Sequence, residues 1–262
     1  MFVDYSQRDN KMYLVHFYNL KNFRHCFDCC TFWLSLKDFS EENQKYATEL
    51  IKKLMEIGFL DNTEFKIVKN DEFREAPCFY DEVVGRIEGG ENEWIFFAHS
   101  KGITNNINES VLQWVCAMYY FGLNFEEELT YQFCHLEVPR AAFYGFPFSY
   151  YEKIDLIDND YLFVGTMYWI KTAQVRRIIN ANKGKIEKVA DRCYAEDFPG
   201  NHVEPAYCKT HRGYAVIHNG FYDNFPAALS EYFERSNTPE EEINGFYEYY
   251  NNMIEKCIYI ND

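Results

Sequence analysis

The chain has 262 residues, 41 acidic against 26 basic, and a formal charge of −15 at pH 7. That balance argues against nonspecific nucleic-acid binding, which draws on basic surfaces. Hydrophobic residues at 47% and charged residues at 26% exclude intrinsic disorder and fit a globular chain long enough for one large domain. The 22 Tyr, 24 Phe and 4 Trp, 19% of the chain, suit a bulky core and surfaces that stack on sugars or bases.

Taken in chain order, Met12 to Tyr18 is a short apolar run ending at Asn19, which predicts a buried strand leading into a loop. Lys45 to Ile57 places Ala47, Leu50, Ile51, Leu54 and Ile57 at helical spacing, and Gly58 supplies a stop. Phe65 to Val68 reads as a second strand, Phe79 to Ile87 as a helix closed by Gly89-Gly90, and Trp94 to Ala98 as a third strand. This β-α-β-α-β order predicts an α/β fold with a mainly parallel sheet, ligands gathering at the carboxyl ends of its strands.

Glu109 to Leu123 aligns Leu112, Val115, Tyr119 and Leu123 on one helical face. Tyr161 to Ile170 is strand-like with Gly165 inside it, and Gln174 to Asn180 is a short helix. Thr238-Pro239-Glu240-Glu241 opens a last helix with an N-cap, proline at its first position and a capping-box acid. No repeat, low-complexity stretch or Pro/Gly/Ser-rich linker divides the chain, so residues 1–262 are expected to form a single domain.

No apolar run reaches the roughly 18 to 20 residues that span a bilayer, so no transmembrane segment is expected. The first residues have neither a basic nor an apolar signal region, and the cysteine count of nine is odd. These features predict reduced core thiols in a cytoplasmic compartment. Cys26-x-x-Cys29-Cys30 has no second Cys or His pair at zinc-finger spacing, and buried thiols on an amphipathic helix are the expected reading. His202, His211 and His218 are scattered, with no H-E-x-x-H spacing.

The most informative segment runs from Trp94 to Gly102, where a hydrophobic strand emerges directly into His99, Ser100, Lys101 and Gly102. Ser100 does not sit in a G-x-S-x-G elbow, which argues against a serine hydrolase. By composition alone, His99 is a structural histidine and Lys101 a solvated charge. Glu196 and Asp197 read as a solvated acidic loop.

These residues also carry a family resemblance. His99-Ser100-Lys101-Gly102 after an apolar strand, Trp114 and Met118-Tyr119-Tyr120-Phe121 on the following helix, and Gly165-Thr166-Met167-Tyr168-Trp169 together resemble a family of bacterial and large-virus glycosyltransferases related to rhamnan synthesis F-type proteins. The resemblance takes in His16-Phe17-Tyr18-Asn19, the stretch from Asn70 to Tyr80 with Arg74-Glu75, and Arg192 to Gly200, so it spans most of the chain. It implies a GT-A-like fold that binds a nucleoside diphosphate sugar and transfers the sugar to a hydroxyl of a glycan acceptor.

On that resemblance the donor-binding residues are His16, Tyr18, Asn19, Arg74, His99, Ser100, Lys101, Gly102, Gly165 and Thr166, with the base and ribose near His16 to Asn19 and the diphosphate near His99 to Gly102. Glu196 and Asp197 are the implied acids near the acceptor, one of them the general base. Many GT-A enzymes hold Mn²⁺ or Mg²⁺ on Asp-x-Asp at the strand end where this chain has His99-Ser100-Lys101. Lysine cannot ligate such an ion, so no metal residue is assigned and Lys101 is expected to neutralise part of the diphosphate. The only literal Asp-x-Asp, Asp158-Asn159-Asp160, reads as a turn. The departure also supports a second reading, a non-catalytic carbohydrate-binding or assembly protein on a degenerate fold of the same kind.

Overall fold

Three short apolar segments build one parallel sheet. In the computed structural model, β1 (Phe2–Asp4), β2 (Cys30–Leu36) and β3 (Thr63–Lys69) pair side by side, with Phe2 opposite Trp33 and Trp33 opposite Lys66. The structure describes residues 1–5, 12–59, 61–70, 75–100, 108–124, 143–145, 148–150, 161–163, 167–181, 186, 195, 198, 207–208 and 221–258.

The crossovers are helical, as parallel pairing requires. Helix α1 (Met12–Asn22) joins β1 to β2, and α2 (Glu41–Glu56) joins β2 to β3. Ser40 caps α2 by accepting from the Asn43 amide, and Asp38 in turn accepts from the Ser40 amide at 2.9 Å and from Asn43 Nδ2 at 2.8 Å. Those bonds hold the Asp38 carboxyl at about 2. Gly58 follows at φ +113°, a left-handed position that glycine takes without a steric cost, so the predicted helix stop is observed.

From β3 the chain enters α3 (Ala76–Phe79), passes a π-turn at Tyr80–Val84 and continues as α4 (Gly85–Gly89) before β4 (Trp94–Phe97). The predicted helix and its glycine closure are both present, Gly90 standing at φ +87°. Strand β4 does not extend the sheet beyond β3. A parallel bridge between Phe2 and His99 sets it on the free side of β1, through Phe2 N–H to Ala98 O at 2.9 Å and Ser100 N–H to Phe2 O at 3.0 Å.

Helix α5 (Glu109–Leu123) follows, capped by Asn108. The second half of the chain adds β5 (Phe143–Gly145), β8 (Tyr168–Lys171) and β9 (Tyr207–Cys208) beyond β4, in the order β4-β8-β5-β9. Strands β6 (Phe148–Tyr150) and β7 (Tyr161–Phe163) form a separate antiparallel pair. Helices α6 (Thr172–Ala181), α7 (Phe221–Ser236) and α8 (Glu240–Ile258) complete the described elements, with α7 broken at Asn224 just ahead of Pro226.

Three expectations are corrected. Met12 to Tyr18 is helix, not strand: Met12, Leu14, Val15, His16, Phe17, Asn19 and Leu20 are all buried, because α1 packs against both α5 and α8. A helix covered on so many sides loses the polar face that reveals its period. Tyr161 to Ile170 is two strands in two different sheets, not one. The sheet is mixed and not mainly parallel throughout, since β8 runs antiparallel to both β4 and β5, while β5 and β9 pair parallel.

Alternate residues of the parallel strands enter two cores. Val3, Phe32, Leu34 and Leu36 meet α1, α2 and α5 on one face, while Phe2 and Trp33 meet Phe79, Val83, Phe97 and Tyr168 on the other. No described helix is long and apolar enough to cross a membrane.

Candidate functional site

With β4 bonded to β1, the first strands stand in the order β3-β2-β1-β4. The chain moves outward from β1 through β2 to β3 and then returns to the other side of β1. The order therefore reverses between β1 and β4, and in open α/β sheets the crevice outside the carboxyl ends at such a point is where ligands bind.

The residues at those carboxyl ends are polar. Strand β1 ends in Asp4, 6% exposed, and β4 runs into His99 and Ser100, the latter 5% exposed. Ser35 lies in β2 in register with Asp4, and Asn70 follows β3 directly. The Asp4 amide donates to Ser100 Oγ at 2.9 Å, locking the two strand ends together. Asn70 Nδ2 donates to Asp4 Oδ1 at 3.2 Å, and its own amide bonds Leu36 O at 2.6 Å. The Ser35 hydroxyl, fully buried, has no hydrogen-bond partner among the described residues.

Glu75 brings a second carboxylate to the same edge. It stands at the N-terminal end of α3, 5% exposed, with Oε1 3.1 Å from His99 Nδ1. The other ring nitrogen of His99, Nε2, is shielded from solvent and has no hydrogen-bond partner among the described residues. Because a carboxylate only accepts, the pair puts a proton on Nδ1, and in the neutral ring Nε2 then carries a lone pair.

The predicted donor residues divide between places. His99 and Ser100 are at the crevice. His16 and Asn19 are not at a strand end: both are fully buried within α1, His16 Nδ1 against Tyr119 Oη at 3.0 Å and Asn19 Nδ2 on Val15 O at 2.7 Å, with Asn19 Oδ1 accepting from Tyr249. Tyr18 is half-buried on the same helix. Arg74, Lys101, Gly102, Gly165, Thr166, Glu196 and Asp197 lie outside the described residues, as do Asp158 and Asp160 and the histidines at 202, 211 and 218.

Sequence reasoning missed Asp4, Ser35 and Asn70 as site residues and met Glu75 only within a resemblance. One signal was available: an acid ending a short apolar run at the start of the chain and an amide ending the Phe65–Val68 run stand where two strands finish.

The cysteines near residue 26 are also corrected. They do not share a helical face: Cys26 closes a single 3₁₀ turn, Cys29 is exposed and Cys30 opens β2. Among the described residues no group of three or more His, Cys, Asp or Glu stands close enough to hold a metal ion. At the end of β4, Ser100 Oγ accepts from the Asp4 amide and His99 Nδ1 faces Glu75. Cys78, on the face beneath, has its thiol pushed up to about 12 by burial and packs there as a neutral apolar group.

Away from this edge, a concavity of about 570 Å³ is lined by Asn22, Phe23, Asn124, Tyr249, Asn252 and Lys256 among others. Helices α1 and α5 start from the carboxyl ends of β1 and β4, so their last turns, which line this cavity, lie toward the opposite edge of the sheet. Comparison of the chain with protein-family models, with curated proteins and with solved structures returns no match.

Proposed function

We propose that the chain is a glycosyltransferase that binds a nucleoside diphosphate sugar at the β1–β4 crevice and transfers the sugar to a hydroxyl of a glycan acceptor. The supporting observation is the reversal of strand order between β1 and β4, with Asp4, Asn70, Glu75, His99 and Ser100 gathered at that edge. A nucleotide fits such an edge because a carboxylate at a strand end can take ribose hydroxyls and the following loop can approach the phosphates. Asp4, held by Asn70, supplies the carboxylate, and Lys101 and Gly102, next in the sequence after Ser100, are the residues proposed to meet the diphosphate. The family resemblance in the sequence adds the sugar and the GT-A character of the sheet.

The test is thermal. At a donor concentration about 100 times Kd, binding adds about 2.7 kcal/mol to stability, a readily measured rise in Tm. UDP-, GDP-, dTDP- and CMP-linked sugars are screened in turn, and release of free nucleotide from the donor that binds separates an enzyme from a binding protein. Absence of a shift with every donor rejects the reading.

A further inference from the structure

We propose that His99 is the general base of the transfer, accepting the proton of the attacking hydroxyl at Nε2, and that Glu75 is its positioning residue. The proposal rests on the transferase reading and deepens it, moving the proton acceptor from the Glu196-Asp197 pair to the end of β4.

Two observations carry it. Glu75 Oε1 stands 3.1 Å from His99 Nδ1, with the two side chains 7% and 14% exposed, so the ring is held from one side by a buried carboxylate. Its Nε2 is shielded from water and lacks a partner among the described residues. Buried polar atoms are nearly always hydrogen-bonded, and an exception at a strand end where ligands gather points to a group that a ligand brings. An unprotonated nitrogen accepts a hydrogen bond and repels phosphate oxygens, so that group is a hydroxyl and not the diphosphate.

In the step, the hydroxyl oxygen forms its bond to the anomeric carbon while its proton passes to His99 Nε2. The bond from the anomeric carbon to the diphosphate oxygen breaks, and the nucleoside diphosphate leaves with that electron pair. Glu75, already bonded to Nδ1–H, stabilises the imidazolium without taking its proton. Direct attack of this kind inverts the anomeric configuration.

The test uses the full chain, His99→Gln and Glu75→Gln, with folding checked by Tm. The probe is whichever nucleotide-sugar of the four classes gives the largest melting shift, and turnover is read as nucleotide release with water as the acceptor. His99→Gln should lower turnover by roughly 10²- to 10⁴-fold and shift donor Kd by less than about threefold. Glu75→Gln should lower turnover by less.

Imidazole ¹⁵N spectra near pH 8.5 should show His99 protonated at Nδ1 and bare at Nε2, with that preference weakened in Glu75→Gln. This reading requires no turnover and stands even where His99→Gln fails to fold. A wild-type ring protonated at Nε2 overturns the assignment, and so does His99→Gln that keeps turnover within about threefold or loses donor binding along with it. Absence of binding and turnover with every donor takes down the transferase reading itself. Turnover that survives both the His99 and the Glu75 substitutions takes down only this inference.

Discussion

The Asp4 amide donates to the Ser100 hydroxyl oxygen at 2.9 Å, a buried bond between residues 96 apart in sequence that closes β1 onto the end of β4. It stands beside the backbone bridge at Phe2 and His99, so the corner of the crevice is held by both main chain and side chain. Asn70, reaching Asp4 Oδ1 from the far side of β2, fixes the carboxylate from the other direction.

Ser100→Ala leaves the Asp4 N–H buried without its acceptor, and the cost of such an orphaned donor is about 1–3 kcal/mol. Urea unfolding should show a lower midpoint at an unchanged slope. A loss below about 0.5 kcal/mol means that water replaces the hydroxyl and that the bond does not secure the corner.

Glu82 links β2, β3 and the helical segment between α3 and α4. It accepts from Trp33 Nε1 at 2.9 Å and from Lys66, whose ammonium also lies 5.3 Å from the Trp33 ring centre. Burial opposes its ionisation, but the hydrogen bonds from Lys66 and Trp33 outweigh it and hold the carboxyl below its usual value. A depressed folded value means stability that is present above the unfolded value, about 4.3, and is lost as pH falls through the folded one. Glu82→Gln should therefore lower Tm near neutral pH and flatten the decline of Tm in the acid range, and a parallel acid decline in both proteins counts against the bond. The hydrogen bond to Glu82 raises Lys66, so the alkaline loss that belongs to the pair begins only above the ordinary lysine range.

A Cβ built at Gly245 would stand 2.7 Å from Tyr120 Oη, closer than packed atoms allow, and would meet the tip of a ring 9% exposed and packed edge-on against Phe246 and Phe121 and tilted against Tyr249. Gly245→Ala should destabilise the protein by about 1–3 kcal/mol through overpacking between α5 and α8. Tyr120→Phe removes the clashing oxygen, so the double variant should recover part of that loss, and a purely additive double-mutant cycle rejects the contact.

Lys101→Ala should weaken nucleotide-sugar binding while EDTA leaves activity largely intact, because a lysine charge then does what a metal does elsewhere. Isothermal titration with and without EDTA reads both outcomes. Activity abolished by EDTA and restored by Mn²⁺ sends attention to Asp158 and Asp160.

Elements with one buried and one solvated face were legible in the sequence. Helix α2 shows its period because only Asn43, Ala47, Leu50 and Leu54 are buried, and Gly58 marks its end. Strand β4 could be read from Trp94 to Ala98, and with it the position of His99 and Ser100. Helix α1 could not, because its burial on several sides erased the polar face. Nor could β1, whose three residues are too few to show an alternation.

By itself, then, and apart from α1, β1 and β2, the sequence determined helix α2 with its glycine stop, β3, the helical stretch before β4 and a polar quartet at the end of one apolar strand. All of these follow from local periodicity, turn residues and composition. Only the tertiary structure decided that β4 crosses back to β1 and that Asp4, Asn70 and Glu75 join His99 and Ser100 at one edge. Those residues span nearly a hundred positions, and strand pairing between distant segments leaves no periodic trace in either one. The choice of neighbour is made by the two cores on opposite faces of the sheet, which close only when β4 lies beside β1.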